Sequence, residues 1–136
     1  MPITKSASET ILLAEKVAGK ISKPLCIALF GELGAGKTVF VKGLARGLGI
    51  KEVVSSPTFV LMHSYSGRMK LHHIDLYRVK KGDEFLPFEE ILMDDGIVAI
   101  EWAERAQVFL PKKRIEVNFK IISENEREIV INDYRD

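Results

Sequence analysis

Two short, uninterrupted runs of apolar residues dominate the hydrophobic pattern of this chain, at residues 25–30 and 97–100. Runs of this length without polar alternation are typical of strands that are buried on both faces, as in the centre of a parallel sheet. The pattern therefore predicts two neighbouring central strands in one sheet.

Apolar positions at helical spacing flank the first run on both sides. Before it, a stripe over residues 11–18 follows Ser6 and Glu9, whose spacing fits a helix N-terminal capping box. After it, apolar residues recur at helical spacing over residues 40–48, and Gly49 supplies a stop. We predict one helix that ends near residue 20 and a second helix between the first run and Gly49.

Two antiparallel hairpins are predicted in the rest of the chain. The first joins strands at residues 58–64 and 69–77 through a turn at 66–68, and the second joins strands at 114–122 and 127–131. Because hairpins pair antiparallel strands, the predicted sheet is mixed rather than purely parallel.

The segments between these hairpins are predicted to be irregular or briefly helical. Residues 82–95 are polar apart from a short helix at 88–92, and residues 102–110 form one helix that ends before Pro111. The predicted fold is α/β, one domain over residues 1–136, with a mostly parallel central sheet, antiparallel hairpins and flanking helices.

The turn between the first apolar run and the second helix contains the clearest chemical motif. Its sequence is Gly31-Glu32-Leu33-Gly34-Ala35-Gly36-Lys37-Thr38, which fits the phosphate-binding pattern G-x-x-x-x-G-K-[ST] of P-loop NTPases. Glycines let the backbone point its N–H groups at phosphate oxygens, and the following helix aims its positive dipole end at them. We expect Lys37 to face solvent and reach the β- and γ-phosphates, with the Thr38 hydroxyl as a Mg²⁺ ligand.

A nucleotide-bound Mg²⁺ in such a protein is usually also held by an acidic residue at the end of a neighbouring strand. Glu101 follows the second apolar run, and ligands cluster at the carboxyl ends of parallel strands, so we expect it beside Thr38. The alternative is an exposed glutamate that is favoured at the start of a helix by the helix dipole.

Strand alternation places His73, Asp75 and Tyr77 on one face of the first hairpin, opposite apolar residues. This pattern indicates the wall of a site, in which Asp75 holds a metal-bound water or orients the attacking water. The alternative is the polar outer face of a half-exposed strand. His63 and His72 lack metal-ligand spacing and are interpreted as surface or structural histidines.

The composition excludes several other classes of protein. Hydrophobic residues make up 46% of the chain and the formal net charge is +1, which argues against disorder and against general affinity for nucleic acid. The single cysteine, Cys26, lies in the first apolar run, which excludes an internal disulfide and suits a reducing compartment. No signal-peptide core and no apolar run near the ~20 residues that cross a bilayer is found, so we expect a cytoplasmic protein without membrane partners.

Four segments together resemble the bacterial TsaE (formerly YjeE) family, the ATPase of tRNA threonylcarbamoyladenosine biosynthesis. They are the phosphate-binding loop, Ser56-Pro57-Thr58-Phe59, His73-Ile74-Asp75-Leu76-Tyr77-Arg78 and Ile100-Glu101-Trp102. The resemblance extends over nearly the whole chain. It departs at Pro87 and Ala103, where members of the family often have Gly and Pro, and both positions are away from the phosphate chemistry.

The resemblance implies ATP and Mg²⁺ as cofactors. It marks Thr58 as a switch-like residue near the γ-phosphate, Trp102 as a residue that responds to nucleotide or partner, and Arg127 as a neighbour of the nucleotide. The implied metal ligands are Thr38 and Glu101. The implied catalytic residues are Lys37, Thr58, Asp75 and Glu101. The implied nucleotide-binding residues are Gly31, Gly34, Ala35, Gly36, Lys37, Thr38, Val39, Trp102 and Arg127.

The resemblance also implies a Mg²⁺-dependent ATPase of low intrinsic activity that partners stimulate. Its implied partners are TsaD-like and TsaB-like proteins, which transfer a threonylcarbamoyl group to the adenosine next to the anticodon of tRNA. ATP hydrolysis would reset that complex between turnovers, and tRNA is an indirect partner through the complex. The alternative is a small-molecule P-loop kinase, although such kinases are usually longer and carry an arginine-rich lid. A GTPase requires an Asn-Lys-x-Asp element, which the chain lacks.

Overall fold

The computed structural model describes residues 3–55, 62–77, 88–93 and 95–135, in which seven strands form one sheet with helices on both faces. The strands are β1 (Ile3–Thr4), β2 (Leu25–Phe30), β3 (Met62–Ser66), β4 (Lys70–Asp75), β5 (Ile97–Glu101), β6 (Arg114–Ile121) and β7 (Arg127–Asp133). The helices are α1 (Ala7–Gly19), α2 (Lys37–Gly47), α3 (Phe88–Met93) and a 3₁₀ helix (Ala103–Phe109).

The order of strands across the sheet is β1-β7-β6-β2-β5-β4-β3. The four inner strands β6, β2, β5 and β4 run parallel to one another, whereas β1, β7 and β3 pair antiparallel at the two edges. The predicted α/β class, the parallel centre and the antiparallel hairpins are therefore confirmed.

The two apolar runs of the sequence form the adjacent strands β2 and β5, as predicted. Their register pairs Leu25 with Ile97 and Leu29 with Glu101, so the carboxyl ends of both strands lie side by side at the same end of the sheet. All five residues of β5 are buried, including the glutamate at its end. The phosphate-binding loop and Glu101 consequently start from neighbouring points at the carboxyl end of the sheet.

Each face of the sheet is covered by a different pair of helices. On one face α1 and α2 pack over alternate residues of the central strands, with Phe40 and Leu44 of α2 fully buried against them. On the other face Ile91 of α3 and Ala106 of the 3₁₀ helix pack over the intervening residues. Burial of both faces explains why β2 and β5 are apolar throughout.

The packing of α1 on α2 leaves no room for side chains at two positions of α2. A Cβ atom at Gly43 would lie 2.4 Å from the backbone oxygen of Ile11 and 2.6 Å from the Cβ of Ala14. A Cβ atom at Gly47 would lie 2.6 Å from the Cβ of Ala18. Small residues one turn apart on each helix therefore let the two backbones approach closely.

Several predicted boundaries shift in the structure. Ser66 pairs with Lys70, so β3 extends to Ser66, β4 begins one residue later than predicted, and the turn is at 67–69 rather than 66–68. β4 ends at Asp75, so Tyr77 lies in the turn after the strand, not on it. β7 extends two residues further than predicted, to Asp133. Residues 58–61 of the predicted strand and 82–87 of the predicted irregular segment lie outside the described residues.

The hairpin turn between β3 and β4 is held by the ends of both large helices. The Arg68 guanidinium donates to the carbonyl oxygens of Ala18 and Ile21, each at 2.9 Å, and its backbone N–H donates to Leu48 O at 2.6 Å. These contacts lie far from the turn in sequence, which explains why the local pattern misplaced the turn by one residue.

Two elements differ in kind from the prediction. β1 was not predicted, because a strand of two residues carries no pattern; it pairs with Arg127 and Glu128 of β7. The helix predicted at 102–110 is a 3₁₀ helix that starts after Trp102, whose backbone is left-handed, and is interrupted at Ala106, where φ is −128°. Within the described residues, no helix is long and apolar enough to cross a membrane.

We expect Gly43→Ala to lower the free energy of unfolding by about 1–3 kcal/mol, the usual cost of inserting a methyl group into a close-packed contact. Gly19→Ala is the matched control: it lies in the last turn of α1, and a Cβ there meets nothing within 4 Å. Equilibrium unfolding in urea measures both variants. Equal midpoints for the two variants would contradict the close contact between α1 and α2.

Candidate active site

The loop between β2 and α2 curls into a concave backbone surface at the carboxyl end of the sheet. Gly34 and Gly36 adopt left-handed backbone angles, with φ of 81° and 101°, which residues with side chains rarely adopt. Gly36 directly precedes α2, whose N-terminus has neither a side-chain cap nor an acidic residue in its first turn. The first N–H groups of α2 can therefore be satisfied by an anion, and the helix dipole favours one.

Lys37, the first residue of α2, is buried rather than solvent-facing as the sequence predicted, with 4% of its surface exposed. Its ammonium donates to the carbonyl oxygens of Gly31 and Glu32, the second at 3.2 Å. The same ammonium lies 3.7 Å from the centroid of the Trp102 ring. Carbonyl dipoles and an aromatic face both stabilise a cation, so the lysine is held in place although little water reaches it.

Opposing effects act on the charge of Lys37. Burial lowers the pKa of Lys37 below its ordinary value, while the carboxylates of Glu101, Glu104 and Asp75 oppose that shift. The lysine is thus surrounded by acidic residues from three different positions of the chain. The sequence analysis did not single out Glu104, which stands two residues after Trp102.

Glu101 joins α2 to the two strands beside the loop. The Thr38 hydroxyl donates to both of its carboxylate oxygens, at 3.0 Å to Oε1 and 2.8 Å to Oε2. His73 Nε2 lies 2.5 Å from Oε2. Glu101 is 3% exposed and His73 is fully buried. The alternative interpretation of Glu101 as an exposed helix-start residue is therefore wrong, and its predicted position beside Thr38 is what the structure shows.

Asp75 ends β4 directly beside Glu101, its pairing partner on β5. Its Oδ1 accepts a hydrogen bond of 3.0 Å from the backbone N–H of Tyr77, which orders the turn after the strand. Ile74 and Leu76 pack on the opposite face of the sheet, as the alternation predicted. His73 is fully buried, so the alternative of a half-exposed polar face is wrong for that residue.

The other two histidines have structural surroundings. His72 lies 2.7 Å from the Ser64 hydroxyl, and His63 Nδ1 lies 3.4 Å from the Tyr65 hydroxyl. Neither histidine lines the two cavities around the phosphate-binding loop, in agreement with their interpretation as structural residues.

Aromatic residues form one side of the site. Trp102 has φ 58° and ψ 44°, a conformation that is uncommon for a bulky residue and is often found at functional sites. Its ring lies 5.1 Å from that of Tyr77, at an angle of 43°. The guanidinium carbon of Arg105 lies 5.7 Å from the centroid of the Trp102 ring.

Two adjoining cavities surround the loop. The larger, of about 310 Å³, is lined by Leu33, Gly34, Ala35, Gly36, Lys37, Thr38, Val39, Asp75, Tyr77, Glu101 and Trp102. The smaller, of about 160 Å³, is lined by Ser6, Ala7, Thr10, Gly34, Gly36, Val39, Glu124, Asn125 and Arg127. Because both share two glycines and Val39, an elongated ligand can extend from one cavity into the other around the loop.

Most of the predicted site residues meet in these cavities. Gly31 does not line either cavity, but its carbonyl accepts a hydrogen bond from Lys37, which lines the larger one. Arg127 lies in the smaller one and donates to Gly34 O at 3.2 Å. Thr58 lies outside the described residues. Leu33 also lines the larger cavity; the motif gave no signal for it, because its position in the loop accepts any residue.

The donor atoms beside the loop fit a small, hard cation. A threonine hydroxyl and a carboxylate offer oxygen ligands, which Mg²⁺ prefers, and such sites usually take only one or two carboxylates from the protein. Among the described residues there is no cluster of three or more His, Cys, Asp or Glu side chains suited to a metal ion. The residues present therefore fit a Mg²⁺ that draws its other ligands from phosphate oxygens and water.

Comparison with known proteins shows which family the chain resembles. A family model described as "Threonylcarbamoyl adenosine biosynthesis protein TsaE" matches residues 4–129. A tRNA threonylcarbamoyladenosine biosynthesis protein TsaE of Treponema pallidum (strain Nichols) is 37% identical over 131 residues, which cover 95% of this chain and 97% of that protein. The Aquifex aeolicus (strain VF5) protein of the same name is 41% identical over 132 residues, covering 95% and 92%.

A solved structure shares the fold as well as the sequence. The crystal structure of YdiB from Bacillus subtilis matches with a TM-score of 0.84 and 33% sequence identity, over 98% of this chain and 84% of that chain. With a family model across most of its length and relatives of this similarity, the chain belongs to the TsaE family of tRNA threonylcarbamoyladenosine biosynthesis proteins.

Proposed function

We propose that this protein is a Mg²⁺-dependent ATPase that serves threonylcarbamoyl modification of the adenosine next to the anticodon in tRNA. The observation that carries the proposal is the bond between Thr38, which follows the lysine of the phosphate-binding loop, and Glu101 at the end of the neighbouring strand. A hydroxyl and a carboxylate joined beside an anion-binding loop are the pair that holds nucleotide-bound Mg²⁺ in P-loop NTPases.

The triphosphate is proposed to bind in the larger cavity. The N–H groups at the start of α2 and the Lys37 ammonium supply its donors, and Gly34 and Gly36 leave room for close approach. The nucleoside extends into the smaller cavity towards Arg127, because the two cavities share the loop. Val39 lines both cavities, so it is proposed to contact the nucleotide where it passes from one cavity to the other.

Mg²⁺ bound by Thr38 and Glu101 would supply charge neutralisation for the phosphates. Residues of the chain itself would orient the attacking water and the γ-phosphate. Asp75 lies beside Glu101 on the next strand and lines the same cavity, so its carboxylate is placed to orient the attacking water. Thr58 is proposed to approach the γ-phosphate from the segment that follows Pro57.

Hydrolysis is proposed to reset a complex of TsaD-like and TsaB-like proteins between turnovers, with low activity in the absence of these partners. Leu33 is 66% exposed and Tyr77 is 44% exposed at the rim of the larger cavity. A partner that covers these side chains would exclude water from the nucleotide and fix its surroundings. With a net charge of +1, the chain has no general attraction for tRNA, so contact with tRNA is proposed to be made through the complex.

Release of phosphate without an acceptor separates this function from that of a small-molecule kinase. No arginine lines the larger cavity in the part of the chain that the structure describes, whereas a kinase lid clamps the transferred group with several arginines. The purified protein is expected to release phosphate slowly from ATP alone and faster after addition of the partner proteins. Dependence on a small-molecule acceptor would favour the kinase instead.

We expect Lys37→Met to weaken ATP binding on the order of 10-fold or more, which is the usual value of a charge-assisted hydrogen bond. Methionine keeps the buried stem and removes only the ammonium. Lys42→Ala is the control, because Lys42 is an exposed lysine on the same helix. Titration of ATP against the fluorescence of Trp102, the single tryptophan, measures both. Unchanged affinity in folded Lys37→Met would refute the assignment of the loop.

Replacement of Glu101 by Gln is expected to raise the Mg²⁺ concentration needed for hydrolysis on the order of 10-fold or more, because the amide keeps the shape and loses the charge that Mg²⁺ prefers. Binding of ATP in EDTA should be retained, since removing a negative charge does not harm binding of an anion. Glu104→Gln removes a charge near Lys37 without touching Thr38 and is the control. Superimposable Mg²⁺ curves for Glu101→Gln and wild type would exclude Glu101 as a ligand.

For Asp75 we expect a defect after ATP has bound. Asp75→Asn keeps an oxygen that accepts from the Tyr77 N–H but loses the charge that orients water, so turnover should fall on the order of 10²-fold. ATP affinity and joining of the partner complex should be retained, while repeated cycles of tRNA modification fail. A loss of ATP affinity as large as the loss of turnover would place Asp75 in substrate binding instead.

A further inference from the structure

His73 is a polar side chain of β4 with no solvent exposure, and it contacts Glu101, which lines the larger cavity. Its Nε2 lies 2.5 Å from Oε2 of Glu101, and a carboxylate only accepts hydrogen bonds, so Nε2 carries the proton. Its Nδ1 is buried and has no hydrogen-bond partner among the described residues. Burying an imidazole is unfavourable unless its polar atoms are satisfied, so the bond to Glu101 is the contact that accounts for a histidine here.

The Glu101 carboxylate is held from two directions. Thr38 contacts it from α2 and His73 contacts it from β4. If the Thr38 oxygen bound a metal ion through a lone pair, the geometry of its hydrogen bond to the carboxylate would change. His73 contacts Oε2 from the sheet and would not bind that ion, so its bond would still hold the carboxylate.

We propose that His73 is a positioning residue that holds the Glu101 carboxylate in the orientation in which it ligates Mg²⁺, directly or through water. Carboxylates that ligate metals are themselves held by hydrogen bonds from outer residues, and loss of such a bond typically costs 10–100-fold in metal affinity. This inference rests on the proposed function of the site as a Mg²⁺-ATP site, so the experiment must test the two separately.

Two substitutions of His73 that differ by one methylene group provide the comparison. His73→Gln carries its amide N–H to about the reach of Nε2 and should keep the bond to Glu101. His73→Asn is equally polar but too short to reach it. His72→Asn is the control, because His72 lies on the same strand, is also buried and bonds to Ser64 rather than to Glu101.

The measurement is ATP binding followed by Trp102 fluorescence, first in EDTA and then with increasing Mg²⁺. His73→Asn is expected to bind ATP in EDTA within about twofold of wild type and to need on the order of 10-fold more Mg²⁺ to reach the tight complex. His73→Gln and His72→Asn should keep the wild-type Mg²⁺ midpoint. A wild-type midpoint in His73→Asn, or an equal shift in His72→Asn, overturns the positioning role.

Failure of the proposed function has a different signature. If wild type binds no ATP, or binds it equally well with and without Mg²⁺, the Mg²⁺-ATP site itself is refuted and the inference falls with it. If wild type responds to Mg²⁺ and His73→Asn responds identically, only the inference is overturned.

Nitrogen-resolved NMR of the wild-type histidine rings tests the contact even if His73→Asn does not fold. We expect a proton on His73 Nε2 that exchanges slowly with water and changes its chemical shift when Mg²⁺ is added to the ATP complex. The His63 and His72 signals should change little, because neither ring contacts Glu101. A proton confined to Nδ1 of His73, or a His73 signal that ignores Mg²⁺, contradicts the proposal.

Discussion

The parallel pairing of β2 with β5 is the constraint on which the site depends. It sets Leu29 opposite Glu101, so a carboxylate from residue 101 arrives beside a loop that begins at residue 31. Oε2 of Glu101 then lies 2.8 Å from the Thr38 hydroxyl and 2.5 Å from His73 Nε2. These bonds connect α2, β4 and β5 at the carboxyl end of the parallel strands. A slip of one residue in this register would turn Glu101 to the opposite face of the sheet, away from Thr38, because side chains alternate along a strand. The apolar composition of both strands, which fixes this register, therefore keeps Glu101 beside Thr38 as well as stabilising the fold.

The charges of the site oppose one another in a way that suits a nucleotide with its metal ion. Lys37 and the start of α2 attract phosphate, while Asp75 and Glu101 repel it, and all four lie around one cavity. A polyanion alone is attracted by Lys37 and the start of α2 but repelled by the two carboxylates. A polyanion that carries a divalent cation is attracted by both groups, since the carboxylates then face the cation. This balance is a physical reason to expect selectivity for the metal complex over the free nucleotide.

Sequence pattern predicted those features that depend on local order or on burial. The phosphate-binding loop, α1, α2 and the adjacency of β2 and β5 followed from spacing and from apolar runs. Features decided by distant contacts were missed or misplaced: β1 is paired in the sheet with β7, which is distant in sequence, and the β3–β4 turn is placed by the bonds of Arg68 to the ends of α1 and α2. Lys37 was expected to face solvent, because no motif shows that Trp102, 65 positions later, would cover it. The two-residue alternation did place His73 on the face of Asp75, but only the structure joins it to Glu101.

Different parts of the chain are proposed to recognise the phosphates and the nucleoside of the ligand. The proposed phosphate contacts fall within residues 31–38, so one motif identifies them, and every P-loop protein shares that motif. The smaller cavity is assembled from the start of α1, the loop and the β6–β7 turn, which come together because α1 packs on α2 through Gly43 and Gly47 and because β7 returns beside β6. A nucleoside bound there would be selected by residues such as Asn125 and Arg127 that no phosphate motif includes. For the proposed nucleotide, base selectivity would accordingly be a property of the fold, whereas phosphate binding would be a property of one loop.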